Sequence, residues 1–428
     1  MRFTSGNGMK QTTASYMRTG NALASNECLQ VTSNHRSNEG LISKSQLQVN
    51  LYEDLDSLPA SYEQFFQDVA KKDFFSSRAW LRNIFNTTLE DGAKPRFYGV
   101  EANDFESTPQ ALLVFTSAAQ NGARIKGWWV KDNAIAGTTN YLTYSHTFLY
   151  TDKTNNLPAT INALITRLKK DKHSLIDLNL FASDSISLPL LNQAFNNAGM
   201  KASVYEYCSN WVENTEHLDY EKYLANRSKS TRKGTLRKKR RLQEKHDVRF
   251  EVLTQESDSE KAISLFDEVY AKSWKEPNYF EDFTPGLIRM CAQQGTLRFG
   301  VMYIDDQAAS VELCITANNK ATFAKSAYDP AYAEHSASSI LLLHMIDHVI
   351  SSDQSKLLSF GLFDDAYKKS WCQERRIIKG IVAFNTHTFW GAIGFSAYSL
   401  GKLKDDILQR IKPTLKAIHK KYIQKQSN

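Results

Sequence analysis

Apolar residues recur at helical spacing through "SYEQFFQDVAKKDFFSSRAWLRNIFNTTL", residues 61–89, and then give way to short runs rich in β-branched and aromatic residues. The runs "RFYGVEA", "QALLVFTSA", "IKGWWVK" and "NYLTYSHTFLY" read as strands. Beyond them helix and strand alternate. "PATINALITRLKK" predicts a helix, "SLIDLNLFA" a strand, "LPLLNQAFNNAG" a helix ended by Gly199, and "KASVYEYCSNWV" a strand. The second half repeats the order. "GTLRFGVMYI", "AASVELCITA" and "KATFAKSAY" read as strands, "SSILLLHMIDHVI" as a helix, "KLLSFGLF" as a strand, "DAYKKSWCQERR" as a helix and "KGIVAFNTHT" as a strand.

This recurrence predicts two tandem α/β domains of similar topology, supported by the likeness of "SLIDLNLFASDS" to "KLLSFGLFDDA". A chain of 428 residues that is 42% hydrophobic is long enough for both. We expect a disordered leader over residues 1–48, where Ser, Asn, Thr and Gly dominate, and a first domain over 49–215. A connecting segment over 216–250, a second domain over 251–400 and a basic helix over 401–428, interrupted at Pro413, complete the expected plan.

Charge sharpens the middle of this plan. The net charge of +7 is modest, but "RSKSTRKGTLRKKRR", Arg227 to Arg241, holds nine Lys or Arg and no acid. Its helical phase turns Leu236 and Leu242 toward a partner and spreads Lys233, Arg237, Arg240 and Arg241 over the remaining face. The segment has neither stacking aromatics nor a recognition fold, so no specific nucleic-acid partner is expected. The longest apolar runs, such as Ile340 to Leu343 and Ala111 to Phe115, are far shorter than the ~20 residues a bilayer crossing needs. The start of the chain shows no apolar secretory core, so a cytoplasmic protein is expected. The five cysteines are scattered without a CxxC, which favours reduced thiols.

The chemistry concentrates where "KATFAKSAY" leads through a Ser-rich patch into an apolar helix. A helix's first turn carries unpaired N–H groups and partial positive charge, and small residues there admit a phosphate. A serine cap on a core helix also explains the patch. His344 and His348 with Asp347 imitate a zinc motif, but a third ligand and a catalytic Glu are missing, and no metal is expected.

The stretches "SWKEPNYFEDFTPGLIRMCAQQGTLRFGV", "AKSAYDPAYAEHSASSILL", "FDDAYKKSW" and "ERR" resemble the GNAT-type acyltransferases of bacterial exopolysaccharide and cellulose gene clusters, the CelD/BcsL group. These are similar to the FemAB aminoacyltransferases, which carry two GNAT domains in tandem. The resemblance covers residues from about 60 to 395. It implies an α/β fold with a mixed, GNAT-like sheet and two tandem acyl-CoA N-acyltransferase-like domains.

It further implies that the donor, acetyl-CoA or another acyl-CoA, lies between the strand ending near Tyr328 and the helix opening at Ser339, with its pyrophosphate on the amides from Ser336 to Ser339. His335 and Ala337 belong to that cradle, and Ala327 or Ser326 to a strand bulge whose amide polarises the thioester. Tyr367 would protonate the departing thiolate, Lys368 would contact the donor, and Glu312, where relatives tend to have Gln, would act as base. Asp364 or Asp365 would orient the acceptor. Trp274 is expected in the core, with Lys275 and Glu276 lining the cleft.

Arg237 and Arg241 would guide an anionic, sugar-containing acceptor, and the basic tail would touch an anionic inner-membrane surface. The chain departs from the family pattern at Ser336-Ala337-Ser338, where relatives read "SPG", at Ser359 and Phe363, and at Arg375 to Gly380. The implied activity is N-acylation of an amino sugar, with aminoacyl transfer from tRNA or a catalytically inactive scaffold as alternatives.

Overall fold

The computed structural model describes residues 47–89, 93–104, 107–117, 123–125, 128–130, 134–136, 148–277 and 280–404. Nearly all of the expected leader, part of "NYLTYSHTFLY" and residues 405–428 of the expected basic tail lie outside them.

The first half runs β1 (Leu47–Tyr52), α1 (Ser61–Ala70), α2 (Arg78–Thr87), β2 (Pro95–Ala102), β3 (Pro109–Ser117), β4 (Ala123–Ile125), β5 (Trp128–Val130), β6 (Ala134–Ala136), β7 (Phe148–Tyr150), α3 (Leu157–Lys170), β8 (Leu175–Ala182), α4 (Ser187–Asn197) and β9 (Lys201–Asn214). A connector follows, α5 (Tyr220–Ala225) and α6 (Lys229–Gln243). The second half runs β10 (Val248–Leu253), α7 (Ser259–Lys272), α8 (Phe283–Gln293), β11 (Leu297–Ile304), β12 (Gln307–Ala317), β13 (Lys320–Tyr328), α9 (Ala337–Ser351), β14 (Leu357–Leu362), α10 (Lys368–Trp371) and β15 (Glu374–Phe384). Residues 389–404 are helical. The expected helix over "DAYKKSWCQERR" shrinks to α10, because Glu374, Arg375 and Arg376 already pair with β9 as the start of β15.

One mixed sheet runs in the order β1-β2-β3-β6-β8-β15-β9-β14-β13-β12-β11-β10, with β7 also on β3 and β4-β5 forming a separate pair. The order is palindromic: β1, β2, β3, β6 and β8 answer β10, β11, β12, β13 and β14 from the two ends. The middle is exchanged. β9, the last strand of the first half, pairs with β14 of the second, and β15 pairs with β8 of the first. Each half therefore completes the other's sheet, and β15 and β9 lie side by side along Glu374 to Phe384.

Inward positions follow the period-2 rule. On β12, Val311, Leu313 and Ile315 join the core beneath α1, α2, α7 and α8, while Cys314 joins the core beneath α9. Nine of the fifteen residues of α9 are buried, among them Ile340, Leu341, Leu343, Ile346 and Val349. Each such side chain contributes about 1.5–3 kcal/mol of burial, which fixes α9, and hence its first turn, on the sheet. At Gly300 on β11 a Cβ would meet the Met345 side chain, so glycine is what lets α9 approach.

Candidate active site

β13 and β14 are parallel and pair at Lys320–Leu357, Ala321–Leu358 and Thr322–Ser359 only, after which the ladder between them ends. The Phe323 and Phe360 rings, 4.7 Å apart, fill the fork. On its other side β13 carries a bulge, since Leu313 pairs with Lys325 but Cys314 with Phe323, leaving Ala324 as the extra residue. The bulge expected at Ala327 or Ser326 is thus displaced. Those residues stand in regular register with Val311 and Glu312, and the Ala327 carbonyl accepts the Ser310 hydroxyl at 3.0 Å.

Past Tyr328 the chain makes a 3-10 turn over Pro330–His335 and enters α9 through Ser336, whose φ of 59° and ψ of 43° are left-handed. The glycine-like conformation therefore falls on Ser336, and Ser338 lies inside the helix where no glycine is required. Ser336 N–H donates to Ala333 and Ser339 N–H to the Ser336 carbonyl. Of the four amides expected to receive a pyrophosphate, only those of Ala337 and Ser338 remain outside these bonds. No side chain caps the helix.

The basic helix α6 lies against this mouth, and Lys238 Nζ donates to Ser336 Oγ at 2.6 Å. Leu242 anchors α6 in the core, but Leu236 is 40% exposed and Thr235 takes the inward place expected of it. Arg237 and Arg241 are exposed. Among the described residues, the one ion pair of α6 is Arg240 with Glu244. The start of the helix is tied down by buried Arg227, which pairs with buried Glu213 and donates to the Trp371 carbonyl. His335 packs edge-on against His246, itself 2.7 Å from Asp305.

Three acid–base groups meet near the fork. Glu312 is 5% exposed, and burial pushes its carboxyl up to about 8, with Lys275 pulling the other way. Lys275 sends its ammonium to the Ser326 carbonyl, and burial lowers its pKa. Lys325 donates to Thr284 Oγ1 at 3.0 Å beneath the rings of Phe266 and Tyr270. Burial first, and Lys275 second, bring it down to about 8. Sequence patterning missed Lys325, although a lysine between inward residues of "TFAKSAY" was the available signal.

The loop after β14 is arranged differently from expectation. Lys368 is 3% exposed and donates to the carbonyls of Leu362 (2.5 Å) and Phe363 (3.2 Å) while pairing with Asp365 at 2.8 Å. It holds the loop. Asp364 accepts from Trp211 Nε1 at 2.7 Å and from Arg375 at 2.7–3.0 Å, and Arg375 holds its carboxyl down to about 2. That carboxylate, although exposed, is a latch between β9, the loop and β15, whereas Asp365 pairs with Lys368. Tyr367 is exposed at the start of α10. Phe363 takes a left-handed backbone (φ 71°), and Ser359 is buried with its hydroxyl on Asn210 at 3.2 Å.

Trp274, expected in the core, is 70% exposed, whereas its neighbour Lys275 is half-buried with its ammonium on the Ser326 carbonyl. His344 stacks on Phe250 and His348 turns toward Asp353. Among the described residues no three His, Cys, Asp or Glu side chains are grouped to hold a metal, and no helix is long and apolar enough to cross a membrane.

Residues 229–369, from α6 to the start of α10, match the family model described as an acetyltransferase (GNAT) domain. No curated protein matches the sequence. Among solved structures, FemX superposes with a TM-score of 0.52 at 10% identity, over 79% of this chain and 99% of that one. A conserved protein of unknown function from Bacteroides thetaiotaomicron (TM-score 0.48, 10% identity, 79% and 100% covered) and a tandem GNAT protein from the clavulanic acid biosynthesis pathway (0.44, 9%, 78% and 98%) are also similar. The chain carries a GNAT-type acetyltransferase domain on a mixed α/β sheet, and its fold is that of FemX.

Proposed function

We propose that the chain is an acyl-CoA-dependent N-acyltransferase whose donor is acetyl-CoA or a close relative and whose acceptor is an amino sugar bound for a surface polysaccharide. The observation that carries this reading is the three-pair fork of β13 and β14 leading into a left-handed, uncapped helix mouth inside the matched segment. The amides of Ala337 and Ser338, with Lys238 beside them, form a receptor for the donor's phosphates. Glu312 takes the proton of the attacking amine, the new C–N bond forms as the C–S bond breaks, and Tyr367 protonates the leaving thiolate. The exposed Arg237 and Arg241 draw in an acceptor that carries phosphate. The resemblance to the CelD/BcsL group supports an exopolysaccharide or cellulose setting. The reaction is assigned to the cytoplasm, at or near an anionic inner-membrane surface.

Calorimetry with acetyl-CoA tests the donor. Saturable binding is expected, weakened at least about tenfold by Ser338→Trp, whose indole would cover the two amides. Absence of binding to the unaltered protein overturns the reading. Aminoacyl transfer from a charged tRNA would then take its place if such a tRNA is consumed, and an inactive scaffold if it is not. Burial of Lys368 weighs against the aminoacyl reading, because the lysine implied to meet that donor is committed to loop carbonyls.

A further inference from the structure

We propose that Lys275 is a positioning residue: its ammonium, held across the end of β13 on the Ser326 carbonyl, is the counter-ion that raises the ionised, proton-accepting share of buried Glu312. The inference rests on the proposed role of Glu312 as base.

Ser326 stands directly opposite Glu312 in the β12–β13 ladder, so a cation fixed on its carbonyl is fixed one strand away from Glu312, on whose carboxyl it acts. Among the described residues, the other surroundings of Glu312 supply no cation. Across the ladder on β11 stands Gly300, covered by Met345 and Leu341 of α9. On its own strand the next inward group is the Cys314 thiol, whose pKa Glu312 helps to raise. On β13, Lys325 turns to Thr284 and the α7 rings, near Asp267. From the loop after β14, Asp365 acts on Lys275 itself.

Without that cation the carboxyl would hold its proton to still higher pH, and the ionised share able to accept a proton from an amine would fall. Lys275 arrives from the loop after α7, the side of the sheet opposite α9, so any shift of that loop alters the base as well as the cleft.

The test reads Glu312 directly, by 13C NMR of protein labelled at the glutamate carboxyls, with Glu312→Gln identifying the signal. Lys275→Met should raise the Glu312 midpoint by on the order of one pH unit, and Lys275→Arg should return most of it. The remaining glutamate signals report that the variants are folded. With acetyl-CoA as donor and glucosamine as the amine probe, the alkaline shift should also appear in the rate profile of Lys275→Met. An unmoved midpoint in Lys275→Met overturns the role of Lys275. Full turnover by Glu312→Gln instead removes Glu312 from the chemistry, and with it the base assigned above, whatever the midpoint does.

Discussion

The two halves share one topology and differ at the mouth of one helix. In each, a strand meets the strand beyond the next helix in a parallel ladder of three pairs, β6 with β8 and β13 with β14. The third pair places Asp177 in the first half where the second has Ser359, and each finds a partner on β9, Tyr205 for Asp177 at 2.5 Å and Asn210 for Ser359. The helices that follow part company. α3 opens with Asn156, whose side chain accepts the Ala159 amide, so its first turn is closed by its own sequence. α9 opens on left-handed Ser336 with no side-chain cap and a lysine at hand. Equal topology thus does not bring equal helix ends: the end proposed to receive an anion is the one where the cap is missing and α6 supplies charge.

The largest effect expected from disturbing this arrangement is at the joint between the halves. Glu213 lies on β9, the strand lent to the second half, and its buried pairing with Arg227 ties that strand to the connector and to the Trp371 carbonyl before β15. Leaving one charge buried without its partner costs about 3–5 kcal/mol. Glu213→Gln and Arg227→Met should each lower stability by that amount in chemical denaturation, and the double variant should lose less than the sum. Additive losses would show that the pair does not hold the exchange together.

A smaller effect separates the two third-pair residues. Burial pushes the Asp177 carboxyl up to about 6, the hydrogen bond from Tyr205 offsetting part of the shift. An acid whose folded value lies above its unfolded one favours the folded state when protonated, so stability is greatest below about pH 4 and declines as pH rises through 6. Asp177→Asn should remove this decline, worth about 2–3 kcal/mol across that window, and leave acetyl-CoA binding unchanged. Parallel stability curves for the two proteins between pH 4 and 7 would break the contrast.

Local pattern was enough to read most elements. The alternation of β12 and β13, the apolar run of α9 and the repeated order of the halves are consequences of side-chain period, which sequence displays directly. The exchange of β9 and β15 is not local. Which strand a strand pairs with depends on its edges and on residues some 150 positions away, such as Trp211 and Asp364, whose contact no periodicity announces. At the site, the small residues of the helix mouth and the buried acid Glu312 were visible as types. What was not visible is the direction in which long side chains fold. Lys368 reads as an ordinary helix start yet turns back under its loop, and Lys275 folds onto the end of β13 while Trp274 beside it stays exposed. The left-handed turn was hidden for another reason, since glycine is its usual marker and this chain places Ser336 there.

The smallest effect tests the two strained strand ends against each other. β8 carries Leu180 at φ 66°, and the chain just past β14 carries Phe363 at φ 71°, a conformation that costs a side-chain-bearing residue about 1–2 kcal/mol. The two differ in what their side chains return. Leu180 is 6% exposed, whereas Phe363 is 42% exposed. Phe363→Gly should therefore raise stability slightly, by less than about 1 kcal/mol once glycine's greater unfolded entropy is subtracted. Leu180→Gly should lower it by about 2 kcal/mol, because the lost burial outweighs the relieved backbone. Denaturant midpoints of the two variants moving in opposite directions would show that strain at Phe363 is retained without packing to offset it, as expected of a loop shaped for a ligand. A fall in both would mean that the Phe363 ring is packed in solution.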